Sequence, residues 1–241
     1  MRLKLISCEV LYREMCLTAA RSLHQVDVEF LPKALHDLGG VPMRERLQQA
    51  VDRVDAERYD TVVLGYALCG NGSAGLTARK LPLVIPRAHD CIALLMGGRQ
   101  QYQDYFEQNS GVYFRSTGWL ERGEDIDQKH VGVGSKLNEL IARYGEDNGR
   151  YLFQEFTAYQ RSYRQLTYIS TGLEPDGSFE QRAKDEAALR GWRFECVTGN
   201  LSLFERLLSG DWDENEFLVV PPGWRVTANY DGSIMGKEPA P

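Results

Sequence analysis

Four side chains in this sequence can ligate a soft metal ion: Cys8, Cys69, His89 and Cys91. Thiolate and imidazole together suit zinc, iron or an iron–sulfur cluster. The four are dispersed, with no CxxC pair and no HExxH helix to tie them locally. His89 and Cys91 form an HxC pair that specifies little alone. Two other accounts of the thiols stay open: reactive nucleophiles, or small buried hydrophobes without chemistry. The neighbours suit a binding role. Gly70 and Gly72 let backbone approach a bound group closely. Asp90 or Glu9 is placed to orient His89 or a bound water, and Arg87 offers a fork of donors for a carboxylate or phosphate.

A parallel sheet would gather such distant residues. Residues 3–6 read as a buried strand just before Cys8. Residues 61–68 (TVVLGYAL) read as a strand running into the turn CGNGSAG, which holds Cys69. Residues 81–85 read as a third strand, ended by Pro86, with His89 and Cys91 beyond it. Parallel strands put their carboxyl ends on one edge, which is where open α/β sheets bind ligands.

The remaining pattern continues this alternation. Residues 26–31 form a further strand stopped by Pro32, and residues 12–24 and 43–57 have helical spacing. Residues 76–79 read as the start of a short helix and 92–96 as the first turns of another, continued or renewed through GGRQQYQDYFEQ. Residues 112–115 read as a strand before STGW. The stretch 120–163 is charged and helical, with KLNELIARYG and YLFQEFTAYQ as its periodic segments. Strands follow at 166–170, 192–197 and 217–220, with helices at 179–190 and 201–208. The series KLISC, VDVEFLP, TVVLGYALCG is loosely echoed by LTYISTG, WRFECVTG, FLVVPPGW. The echo reads either as an internal duplication of a βαβαβ unit or as the ordinary rhythm of a doubly wound protein. The expected fold class is therefore α/β, with parallel sheet(s) and helices on both faces, two similar βαβ lobes being one form of it. The chain reads as one α/β domain over 1–241, divisible into lobes at 1–118 and 164–230 with a helical insert at 120–163.

Composition narrows the function. The chain has 241 residues, 43% hydrophobic and 26% charged, which are globular values that suffice for a substantial core. A formal net charge of -6 with no basic run disfavours nucleic-acid binding, which needs clustered positive charge. The apolar start is short and broken by Glu9, Arg13 and Glu14, so neither a signal peptide nor a membrane helix is expected, and the cytoplasm is the expected compartment. Five cysteines, an odd number without a secretion signal, argue against a disulfide framework. Cys16 and Cys196 read as core residues, and His24, His36 and His130 as surface or loop residues. CGNGSAG lacks the GxxxxGK[ST] pattern, no GxGxxG follows the first strand, and GVGSK at 132–136 follows no strand. Tyr66, Trp119, Trp224 and Tyr230 could line a pocket for a flat or methylated ligand, or simply pack.

At GYALCGNGSAGL, LPLVIPRAHDCIALLMG and VYFRSTGW the chain resembles the domain-of-unknown-function 1638 family of bacteria and archaea, over most of its length from Cys8 to Trp224. The family pattern falls on Cys69, Gly70, Gly72, Arg87, His89, Asp90 and Cys91, and Cys8 fits the N-terminal strand. The resemblance implies work beside corrinoid proteins and methyltransferases, in demethylation of methylated amines or related one-carbon compounds. Two functions follow as expectations. One is a metal-dependent enzyme or accessory protein of methyl transfer, with zinc on Cys8, Cys69, His89 and Cys91, and with Gly70, Gly72, Arg87 and Asp90 around the bound group. The other is a non-enzymatic iron–sulfur or cofactor carrier, or a small-molecule sensor, for the same pathway. A corrinoid protein or methyltransferase is the expected partner.

Overall fold

The computed structural model of the protein describes residues 1–38, 40–122, 133–156 and 162–241, with backbone alone for 36–38, 133–136, 139, 155 and 156. The chain divides into two compact units, residues 1–105, 171–173 and 198–241 forming the first and 106–170 and 174–197 the second.

In the first unit, β1 (Arg2–Cys8) leads through a 3-10 turn into α1 (Tyr12–Arg21) and then β2 (Gln25–Leu31). A second 3-10 turn (Lys33–Leu38) and α2 (Gly40–Asp52) precede β3 (Thr61–Gly65) and β4 (Leu83–Pro86). The short α3 (Cys91–Leu95) and α4 (Arg99–Gln108) follow. Every residue of β3 and β4 is buried, as expected of β-branched and aliphatic runs covered on both sheet faces. Met43, Leu47, Ala50 and Val51 make the buried stripe of α2, recurring at helical spacing.

The second unit contains β5 (Val112–Ser116), α5 (Thr117–Arg122), α6 (Val133–Tyr144), α7 (Glu146–Phe156), β6 (Gln165–Ser170), α8 (Ser178–Arg190) and β7 (Arg193–Thr198). Its three-stranded parallel sheet runs β5-β6-β7, with Val112 opposite Gln165 and Ser116 opposite Ile169. Leu166, Tyr168, Ala183 and Ala187 form its buried centre. Across the sheet Arg115 holds Glu186 by two hydrogen bonds of 2.8 Å.

The chain re-enters the first unit with α9 (Ser202–Ser209), β8 (Phe217–Val220), β9 (Trp224–Ala228) and β10 (Met235–Pro239). The five-stranded sheet has the order β2-β1-β3-β4-β8. The first four strands are parallel, and β8 lies antiparallel to β4. This corrects the duplication reading: FLVVPPGW, its last echo, supplies an antiparallel edge strand of the first sheet. The short helix expected at 76–79 is absent too. Thr77 instead bridges Arg225, and β9 and β10 form an antiparallel ribbon that no hydrophobic alternation announced. Among the described residues no helix is long and apolar enough to cross a membrane.

Candidate functional site

The order β2-β1-β3-β4 contains a reversal. The chain leaves β1 for β2 on one side, then returns across it to β3 on the other. Such a switch point opens a crevice at the carboxyl ends of the two diverging strands, the usual ligand position in open α/β sheets. Here it lies between β1 and β3, which end at Cys8 and Gly65. Ser7 is in register with Gly65, so Cys8 and Tyr66 leave the sheet side by side.

The turn after β3 is unusual backbone. Cys69, Gly70 and Asn71 all lie in the left-handed region, with φ of 48°, 60° and 67°. Glycine adopts this freely and asparagine tolerates it, whereas a cysteine there costs about 1–2 kcal/mol. Local bonds hold the turn. Gly72 N donates to Cys69 O at 3.1 Å, Ser73 N to Leu68 O at 3.2 Å, and Ser73 Oγ to Ala67 O at 2.5 Å. The strand pairing also outlasts β3 and β4: Leu68 N donates to Ala88 O at 3.0 Å and Cys69 N to His89 O at 2.8 Å. Gly72 has a packing reason as well, since a Cβ there would run into the Met43 side chain, with Cγ at 2.9 Å. Gly70 faces open space.

Burial dominates the electrostatics. It pushes the Cys8 thiol up to about 11, assisted by the Glu9 carboxylate and opposed by the Val10 backbone, the Tyr66 hydroxyl and the Lys33 charge. It pushes the Cys69 thiol up to about 12, with Cys8 and Asp90 acting in the same direction. Tyr66 is only 3% exposed. Its ionisation is raised by burial first, then by Cys8 and Cys69. Among the described residues its hydroxyl finds no hydrogen-bond partner of good geometry. Both thiols are thus neutral at physiological pH and share one enclosed corner with an unsatisfied hydroxyl.

The other expected site residues take different places. His89 is exposed, and Cys91, partly buried, is the first residue of α3. Among the described residues no three His, Cys, Asp or Glu side chains gather closely enough to hold a metal ion. Asp90 caps α3, accepting from Ile92 N at 3.0 Å and Ala93 N at 3.1 Å, and burial raises its pKa. Arg87 donates to the Phe217, Ser233 and Met235 carbonyls, so it ties β4 to the β8–β10 segment. Cys196, expected in the core, is exposed on β7, and Cys16 is partly buried. His24 bridges the N-terminal amine and the Ser209 carbonyl. His130 and the start of GVGSK lie outside the described residues, as do the side chain of His36 and those of residues 133–136. Of the proposed aromatic walls, Tyr66 is enclosed while Tyr230 is 97% exposed.

Sequence reasoning missed Lys33. This lysine is 5% exposed, follows β2 across Pro32, and its charge reaches Cys8. Its amide donates to Glu9 Oε1 at 2.8 Å, which fixes the Glu9 carboxylate against the end of β2. The signal was present as a lone cation just past a strand end. A separate cavity of about 200 Å³ lies at the opposite, amino edge of the sheet, lined by Val51, Val62, Arg79 and Leu81 among others. None of the thiols borders it.

Residues 30–208 match the model of a family described as "Protein of unknown function (DUF1638)". The matched span holds Cys69, Arg87, His89, Asp90 and Cys91, whereas Cys8 precedes it, a narrower match than the sequence resemblance implied. No curated protein and no solved structure matches the chain.

Proposed function

The chain belongs to the DUF1638 family, and from that premise we propose that the carboxyl edge of its five-stranded sheet binds a thiophilic metal ion, zinc foremost, in the service of corrinoid-linked methyl transfer or methylated-amine breakdown. Cys8 and Cys69 are the proposed thiolate ligands, and His89 and Cys91 the further donors. The observation that carries the reading is the sharing of one enclosed corner by two thiols at a sheet switch point. Two thiols alone in an apolar corner are neutral and inert, and a bound cation is what favours their thiolate form.

The donor set fits an ion with few protein ligands. Because the described residues offer a pair of thiols rather than a preformed group of three, such an ion keeps positions for an exogenous donor. A closed four-ligand structural site has none. An ion so held would lower the pKa of a coordinated thiol or water. The chain's own residues supply the rest: the left-handed turn fixes Cys69, and Lys33 adds positive charge at the Cys8 end.

The test is metal analysis with an optical spectrum on protein purified without oxygen. The expected result is about one equivalent of zinc without visible colour, lost in Cys8→Ser and Cys69→Ser variants that remain folded. A brown chromophore would favour the iron–sulfur carrier instead. Protein that holds no metal and takes up none on addition would end the metal reading.

A further inference from the structure

We infer that the Tyr66 hydroxyl is the hydrogen-bond donor to an exogenous anionic ligand, of the thiolate or small-anion class, that enters the proposed metal site; the inference rests on that metal reading. Tyr66 stands out among the buried tyrosines. Tyr168 meets Thr117 Oγ1 at 2.7 Å and Tyr59 meets Asp27 Oδ2 at 2.7 Å. Tyr66 is 3% exposed, yet its hydroxyl has no hydrogen-bond partner among the described residues. A phenylalanine would bury the same ring without stranding a polar group, so the hydroxyl has no structural purpose within the fold.

Its position gives it one. Tyr66 follows β3 directly and leaves the sheet beside Cys8, with the Cys8 and Cys69 thiols as its electrostatic neighbours. Thiols are weak acceptors, so the hydroxyl keeps its donor capacity for a stronger acceptor arriving from outside. An anionic atom bound beside the ion is such an acceptor. Glu9, the carboxylate that would oppose it, is engaged by the Lys33 amide, and the buried Lys33 brings a compensating charge to the same strand ends.

The full chain, wild type and Tyr66→Phe, is loaded with cobalt(II), whose sulfur-to-cobalt charge-transfer band reports the thiolates, and titrated with azide as the anion probe. The expected result is cobalt binding of equal strength in both, with azide affinity weakened about fivefold to tenfold in Tyr66→Phe. Equal azide affinity in the two proteins, or a cobalt form indifferent to azide, overturns the inference and leaves the metal reading standing. Absence of the charge-transfer band in wild type overturns both. Thermal unfolding of the metal-free proteins adds an independent arm. Tyr66→Phe is expected to match or exceed wild type; a clear loss of stability, or failure to fold, would mean that the hydroxyl serves the fold and would overturn the inference.

Discussion

The amide of Cys69 donates to the carbonyl of His89 at 2.8 Å, extending the β3–β4 pairing into the loops that leave both strands. Two residues twenty positions apart are thereby fixed as backbone neighbours, although their side chains differ in exposure. Cys69 is enclosed beside Cys8, while His89 stands in solvent. The stability of this edge and the chemistry of its thiols are therefore separately testable.

Alkaline pH should weaken the metal-free fold through its thiols. Cys8 and Cys69 titrate at about 11 and about 12 in the folded protein against 9.0 for an ordinary thiol. A group raised in this way favours the fold fully below its unfolded value, and that contribution is lost as pH climbs from 9 through the folded values. Each thiol should add a slope of about 1.4 kcal/mol per pH unit in that window. Urea unfolding between pH 8 and 11 measures it, and a Cys8→Ser, Cys69→Ser double variant should show a shallower decline.

Alkylation should follow the same division. At pH 7.5 iodoacetamide should modify the exposed Cys196 well before Cys8 or Cys69, because the thiolate is the nucleophile and the two enclosed thiols hold almost none. Peptide mapping by mass spectrometry reads the order directly. Rapid labelling of Cys69 would contradict its enclosure.

Two glycines of the same turn should fail for different reasons. Gly70→Ala meets no neighbour but must adopt φ +60°, at a cost of about 1–2 kcal/mol. Gly72→Ala collides with Met43 and should cost about 1–3 kcal/mol. Combining each with Met43→Ala in a double-mutant cycle separates them: coupling is expected for Gly72 and none for Gly70.

Asp90→Ala should remove the cap of α3 and cost about 0.5–2 kcal/mol, with Asp90→Asn retaining most of it. Denaturant midpoints of the three proteins check this. An equal loss in both variants would point to the charge rather than the cap.

In the second unit, Arg115→Met should cost about 3 kcal/mol, since it strips a bidentate partner from a mostly buried carboxylate. Glu186 retains Arg190 at 3.1 Å, which should keep the loss near the lower end of what breaking a buried pair brings. Thermal unfolding of Arg115→Met beside an Arg115→Met, Glu186→Leu pair would show whether the stranded carboxylate or the lost packing on Tyr113 dominates.

Local pattern determined much of this protein. Runs such as TVVLG and LVIP are too uniformly apolar to be anything but interior strands, and Met43, Leu47 and Val51 could only be one face of a helix. The alternation of such elements implied parallel pairing, so the placement of Cys8, Cys69, His89 and Cys91 beyond strand ends on one edge was legible from residue order. Three features were not, because each depends on contacts distant in sequence. Strand order decided that the switch point falls between β1 and β3, and hence which two thiols meet. The antiparallel pairing of β8 with β4 overrode a repeat-like rhythm that carries no direction of its own. Burial, a property of the assembled core, isolated the Tyr66 hydroxyl, enclosed Lys33 beside Cys8 and left Cys196 outside, although the sequence presents each only as a residue at a strand or its end.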